Sequence, residues 1–118
     1  RFQEYLAEAR KLLKAPHLQT LFNAQYYNIA FNEIPLTYER EGQIVYGVID
    51  RLVINEENII LVDYKTHRAS PEQYEQLAEV YRPQLKYYAD GIKKMWPDRE
   101  VIANLLFTHS ATLMPVAI

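Results

Sequence analysis

The segment Gly47-Val48-Ile49-Asp50-Arg51, followed by Ile59-Ile60-Leu61-Val62-Asp63-Tyr64-Lys65, decides the architecture of this chain. Both runs are rich in β-branched and apolar residues up to a carboxylate, Asp50 in the first and Asp63 in the second, the latter followed by one spacer and Lys65. Glu56-Glu57-Asn58 separates them as a turn, so they read as strands of a hairpin that brings Asp50 and Asp63 to one end of a sheet. The four consecutive aliphatics Ile59 to Val62 predict a strand covered on both faces. Side chains alternate along a strand, so Asp63 and Lys65 project from the same side.

Working outward, Phe2, Tyr5, Leu6, Ala9, Leu12 and Leu13 recur at helical spacing and predict an amphipathic helix ending near Pro16. Leu18, Leu21, Phe22 and Tyr26 predict a second, short one. Ile34, Leu36 and Tyr38 alternate within a strand over 29–39, and the turn 39–43 leads to the strand 44–55. Beyond the loop 67–71, Ser70, Pro71 and Gln73 form a near capping box. Helical periodicity then runs from Leu77 to Trp96, with a bend or break expected at Pro83. Val101 to Thr108 is a further strand, and 112–117 pairs with it as a hairpin. Two helices, a three-strand meander, a helix and a final hairpin make an α/β layered domain.

Composition narrows the chemistry. The 118 residues are 49% hydrophobic and 24% charged, as in an ordinary globular domain. No apolar run approaches the roughly 20 residues of a membrane span, and no signal peptide opens the chain. The absence of cysteine excludes disulfides, thiolate metal sites and cysteine nucleophiles, and fits a cytoplasmic protein. Three glycines leave no phosphate-cradling or dinucleotide loop. His17, His67 and His109 lack zinc spacing, and Ser70 and Ser110 lack a nucleophile elbow. A net charge of −2 is poor for a freestanding nucleic-acid binder, so affinity for DNA is expected from neighbouring domains or a partner. The opening Arg1-Phe2-Gln3, without methionine, reads as part of a longer or processed chain.

Two carboxylates and an ammonium from adjacent strands suit a hard divalent cation and a phosphate, which points to metal-dependent phosphodiester cleavage. Lys65 is placed to orient the attacking water or to stabilise charge in the transition state, and the Tyr64 carbonyl to complete the metal's shell. Taken alone, an Asp-x-Lys is more often a solvated surface pair; the buried strand before Asp63 and the room left by Gly47 weigh against that here. Gln84 and Tyr88 share a helix face and either reach this site or serve as surface and core residues. His67 follows Lys65 closely enough to reach DNA. Arg51, Arg68, Arg82 and Lys86 are candidate phosphate contacts, and Tyr26-Tyr27 and Tyr87-Tyr88 candidate base-stacking pairs.

Together Gly47-Val48-Ile49-Asp50-Arg51, Val62-Asp63-Tyr64-Lys65-Thr66 and Gln84-Leu85-x-x-Tyr88-Ala89 resemble the C-terminal nuclease domain of RecB and AddA, in the PD-(D/E)XK superfamily. Glu33-Ile34-Pro35-Leu36 is similar to the glutamate-bearing strand that precedes the first aspartate there. The resemblance covers about 32–107. It implies a restriction-endonuclease-like core, a mixed β-sheet flanked by helices, within a single nuclease domain: N-terminal helices over 1–27 and a catalytic core over about 28–109. It also implies that Asp50 and Asp63 bind Mg²⁺ (or Mn²⁺), that Lys65 is catalytic, and that Gln84 and Tyr88 organise the site and DNA. Glu33 becomes an accessory acid. The activity implied is that of a deoxyribonuclease, usually an exonuclease, coupled to a helicase domain or subunit in DNA repair. Many members carry a further histidine ligand upstream; His17, beside Pro16, is a poor equivalent. The alternative is a catalytically inactive nuclease-fold module that binds DNA or a partner subunit.

Overall fold

The computed structural model describes residues 2–66 and 68–118. Helix α1 (Phe2–Lys14) ends before Pro16; a 3₁₀ turn (Pro16–Leu18), the short α2 (Gln19–Phe22) and a second 3₁₀ turn (Ala24–Tyr26) follow. Strands β1 (Ile29–Arg40), β2 (Gln43–Ile54) and β3 (Asn58–Lys65) form the expected meander. Helix α3 (Pro71–Met95) crosses over to β4 (Glu100–Phe107), which pairs parallel with β3 and antiparallel with β5 (Thr112–Val116). The sheet order is β1-β2-β3-β4-β5, mixed and flanked by helices. No described helix is long and apolar enough to cross a membrane.

Two apolar layers hold the sheet between helices. Leu52, Leu61 and Leu105 meet Leu85 and Ile92 of α3 on one face. Val53, Val62 and Leu106 meet Leu18 and Leu21 on the other. At the start of α3, Gln73 Oε1 accepts the Ser70 N–H at 2.8 Å, the reciprocal half of a capping box. Pro83 does not break α3, which is continuous across it. The proline removes one backbone donor, at a cost of about 3 kcal/mol. Burial of Ala78, Leu85, Ala89 and Ile92 along the helix outweighs that loss.

One irregularity positions the site. Register runs unchanged through Asn32↔Arg51 and Ile34↔Ile49, yet Glu33 and Asp50 between them do not pair. Glu33 has φ 50°, in the left-handed region. The strands exchange faces there. Ile34 and Ile49 pack towards α3, whereas Ala30 and Val53, which alternation alone would put on that same side, pack towards α1 and α2.

Candidate active site

Antiparallel pairing of β2 with β3 reaches Arg51↔Val62 and goes no further, so the two strands part just where Asp50 and Asp63 stand. The Asp50 carboxylate stitches the fork: its Oδ2 accepts the Tyr64 N–H at 2.8 Å. In an extended strand the N–H and C=O of one residue point to the same side. The Tyr64 carbonyl therefore lies on the side of β3 from which Asp50 approaches. The Tyr64 ring itself is half-buried among the residues facing α1 and α2, and burial raises its phenol above the usual range, opposed by the charge of Arg51.

Asp63 leaves the α3-facing side of β3 and is buried, 9% exposed. Burial, and then the neighbouring Asp50 carboxyl, push its pKa up to about 6 against the pull of Lys65. Lys65 Nζ lies 3.1 Å from Asp63 Oδ2, but outside hydrogen-bonding geometry; that oxygen has no hydrogen-bond partner among the described residues. Two carboxylates thus face one ammonium in a nearly dry fork. Oxygen donors with excess negative charge and an unsatisfied buried lone pair fit a hard divalent cation, which needs only one or two carboxylates beside water and phosphate.

From α3 come Gln84 and Tyr88. Burial, followed by the charges of Asp63 and Asp50, raises the Tyr88 phenol, while the neighbouring Gln84 side chain and Val48 backbone oppose the rise. Sequence reasoning left room at Gly47 for a ligand; Tyr88 occupies it. A Cβ on Gly47 would stand 2.5 Å from Tyr88 Cε1 and 3.1 Å from its hydroxyl. Asp50, Asp63, Lys65, Gln84 and Tyr88 are thereby brought to one place.

Other candidates lie elsewhere. Glu33 is exposed and shares an open cavity of about 330 Å³ with Asn32, Asp50 and Tyr64, without joining the carboxylate pair. Among the described residues no three acidic or histidine side chains converge on a metal position. His17 donates Nε2–H to the Ala111 carbonyl at 2.7 Å, tying the helical segment to the β4–β5 turn. His67 lies outside the described residues. Arg51 turns away from the fork. It is 7% exposed and donates to the Leu21 carbonyl at 2.9 Å, Asn32 Oδ1 at 2.7 Å and the Tyr27 hydroxyl at 3.2 Å. Arg82 pairs with Glu79 and Lys86 with Asp90. The face exchange explains Arg51: alternation from Ile49 would put it on the α3 side, and the exchange at Asp50 sends it to the opposite one.

Sequence reasoning missed Tyr81, whose ring centroid is 3.6 Å from Lys65 Nζ. Its spacing before Gln84 and Tyr88 was the available signal. It also missed the face exchange, although apolar residues shift from odd positions (Ile29, Phe31) to even ones (Ile34, Leu36, Tyr38) across Asn32-Glu33.

Residues 1–113 match the PD-(D/E)XK nuclease superfamily, and the chain belongs to it. Curated relatives narrow the resemblance to proteins named as ATP-dependent helicase/nuclease subunits. The protein so named from Anoxybacillus flavithermus is 37% identical over 90 residues, 70% of this chain and 7% of the relative. That from Clostridioides difficile is 33% identical over 70 residues, 59% and 6% of the two chains. That from Clostridium novyi is 31% identical over 93 residues, 73% and 7%. The chain thus corresponds to about 7% of the length of such a relative.

Proposed function

We propose that this chain is a divalent-metal-dependent deoxyribonuclease domain, exonucleolytic in action, working beside a helicase domain or subunit in DNA repair in the cytoplasm. The single observation that carries the catalytic reading is the buried Asp63 beside the half-buried Asp50, with Asp63 Oδ2 lacking a hydrogen bond among the described residues and Lys65 at 3.1 Å. Asp50, Asp63 and the Tyr64 carbonyl would hold Mg²⁺ or Mn²⁺. When bound, such a cation would supply positive charge for the phosphate and lower the pKa of water.

The side chains supply the remainder. Lys65, through its ammonium hydrogens, orients the attacking water or stabilises the charge that builds on the non-bridging oxygens as the P–O bond breaks. Gln84 and the Tyr88 hydroxyl stand beside the carboxylates as hydrogen-bonding groups that orient a strand, with Glu33 an accessory acid on the open side of Asp50. Affinity for DNA comes largely from elsewhere in the assembly, because the chain is net negative.

The test pairs binding with cleavage. Mn²⁺ titrated calorimetrically into the wild type binds, and binding disappears in Asp63→Asn. On linear DNA, Asp63→Ala and Lys65→Ala each lose roughly 10²-fold or more in rate while circular dichroism stays unchanged. Retained cleavage in both variants sinks the catalytic reading. Salt-dependent DNA binding with no metal-dependent cleavage by the wild type would favour the inactive binding module instead.

A further inference from the structure

We propose that Tyr81 is a positioning residue for Lys65, its ring face holding the ammonium against Asp63. The inference rests on the nuclease reading above and adds a residue to its machinery. Lys65 Nζ stands 3.6 Å from the Tyr81 ring centroid and 3.1 Å from Asp63 Oδ2. A lysine ammonium sits at the end of a flexible four-carbon stem, so a fixed backbone does not fix it. The backbone here is fixed: the N–H and hydroxyl of Thr108 both donate to the Lys65 carbonyl, at 3.0 and 3.4 Å. The Asp63 contact is close but not aligned as a hydrogen bond. The ring supplies the missing restraint.

Its face carries the negative end of the aromatic quadrupole and attracts a cation without competing for its proton. The ring is itself restrained, because Tyr81 is half-buried and packed against the core on the α3 side of the sheet, four residues before the fully buried Leu85. Tyr81, Gln84 and Tyr88 follow one another along a single edge of α3. One helix therefore carries both the hydrogen-bonding pair beside the carboxylates and the clamp on the lysine. A cation held in this way is preorganised for the charge that develops at phosphorus.

The experiment compares Tyr81→Phe and Tyr81→Leu in the whole chain, reading the Lys65 ε-methylene resonances by NMR and cleavage of linear DNA with Mn²⁺. Expected are ring-current-shifted Lys65 resonances in the wild type and in Tyr81→Phe, returning to ordinary positions in Tyr81→Leu. In Tyr81→Leu kcat falls about tenfold with KM unchanged, and Tyr81→Phe restores it, because only the ring face is needed. Unshifted Lys65 resonances in the wild type, or a folded Tyr81→Leu that cleaves at the wild-type rate, overturn the proposal. Should Tyr81→Leu not fold, Tyr81→Met carries the same comparison. A wild type that does not cleave overturns the nuclease reading, and the resonances still decide whether the ring holds the ammonium.

Discussion

Asp63 shares its buried fork with one like charge and one opposite charge, and this balance governs how it titrates. Burial and the Asp50 carboxyl raise its pKa from the usual 3.8 to about 6. Between those values the folded chain keeps a proton that the unfolded chain has released. Stability is therefore present below about pH 4 and is lost as pH rises to about 6. Asp63→Asn removes the penalty, so the variant melts above the wild type at about pH 7 and level with it at about pH 4. Equal melting points at both pH values would contradict the assignment. A cation must displace the same proton, so Mn²⁺ affinity falls roughly tenfold per pH unit below about pH 6 and is flat above it. Calorimetric titration at three pH values reads that slope.

At the scale of elements, the decisive contact is α3 against the β1–β2 hairpin, and two glycines mark how closely they approach. A Cβ on Gly91 would lie 2.8 Å from Tyr38 Cδ1 and 2.9 Å from Leu36 Cδ2. Alanine in a helix interior normally gains about 1 kcal/mol over glycine. Here overpacking outweighs that gain, and Gly91→Ala destabilises by about 1–2 kcal/mol in urea unfolding. Gly47→Ala costs a similar amount but pushes Tyr88 from its place beside the carboxylates, so cleavage falls further than stability does. An unchanged cleavage rate in folded Gly47→Ala would show that Tyr88 is not needed where it stands. The strands and the helix were legible from alternation and helical period, to within a residue or two at most ends. The break weighed at Pro83 does not occur, because propensity cannot weigh a lost hydrogen bond against a buried face that only the fold creates. The exchange of faces at Glu33 and Asp50 also escaped: its mark was the shift of apolar residues from odd to even positions across Asn32-Glu33, and no glycine flagged the φ of 50° there.

Across the whole molecule, the juxtaposition of Asp63 with Lys65 was legible from alternation along β3, and that of Gln84 with Tyr88 from their one-turn spacing on α3. Tyr81 and Arg51 were not, since a ring above an ammonium and a guanidinium under a sheet depend on which faces meet. Those faces are unequally covered. The α3 side buries the larger cluster, including Phe107, Leu85 and Ile92, while the other side relies on Leu18 and Leu21 beneath α1 and α2. α1 itself has no buried residue, and Phe2, Tyr5 and Leu13 are exposed. Its polar ties to the β4–β5 turn are a Glu8–His109 contact at 3.1 Å and Lys11 to the His109 carbonyl at 3.4 Å. Surface contacts of this kind contribute about 0–1 kcal/mol each. Opening α1 therefore costs far less than opening β3 and β4, which lie inside the sheet and are sealed by both layers. Hydrogen exchange should rank the amides accordingly, with α1 fastest and Ile60 to Leu61 and Ala103 to Leu105 exchanging only through global unfolding. Protection in α1 equal to that in β3 would contradict the uneven layering. If the ranking holds, the fork between β2 and β3 belongs to the most stable part of the chain. Its carboxylates then meet a cation as a preformed site: removal of Mn²⁺ by a chelator speeds exchange in β3 by the factor by which binding stabilised the folded chain, while α1, which opens locally, keeps its rates.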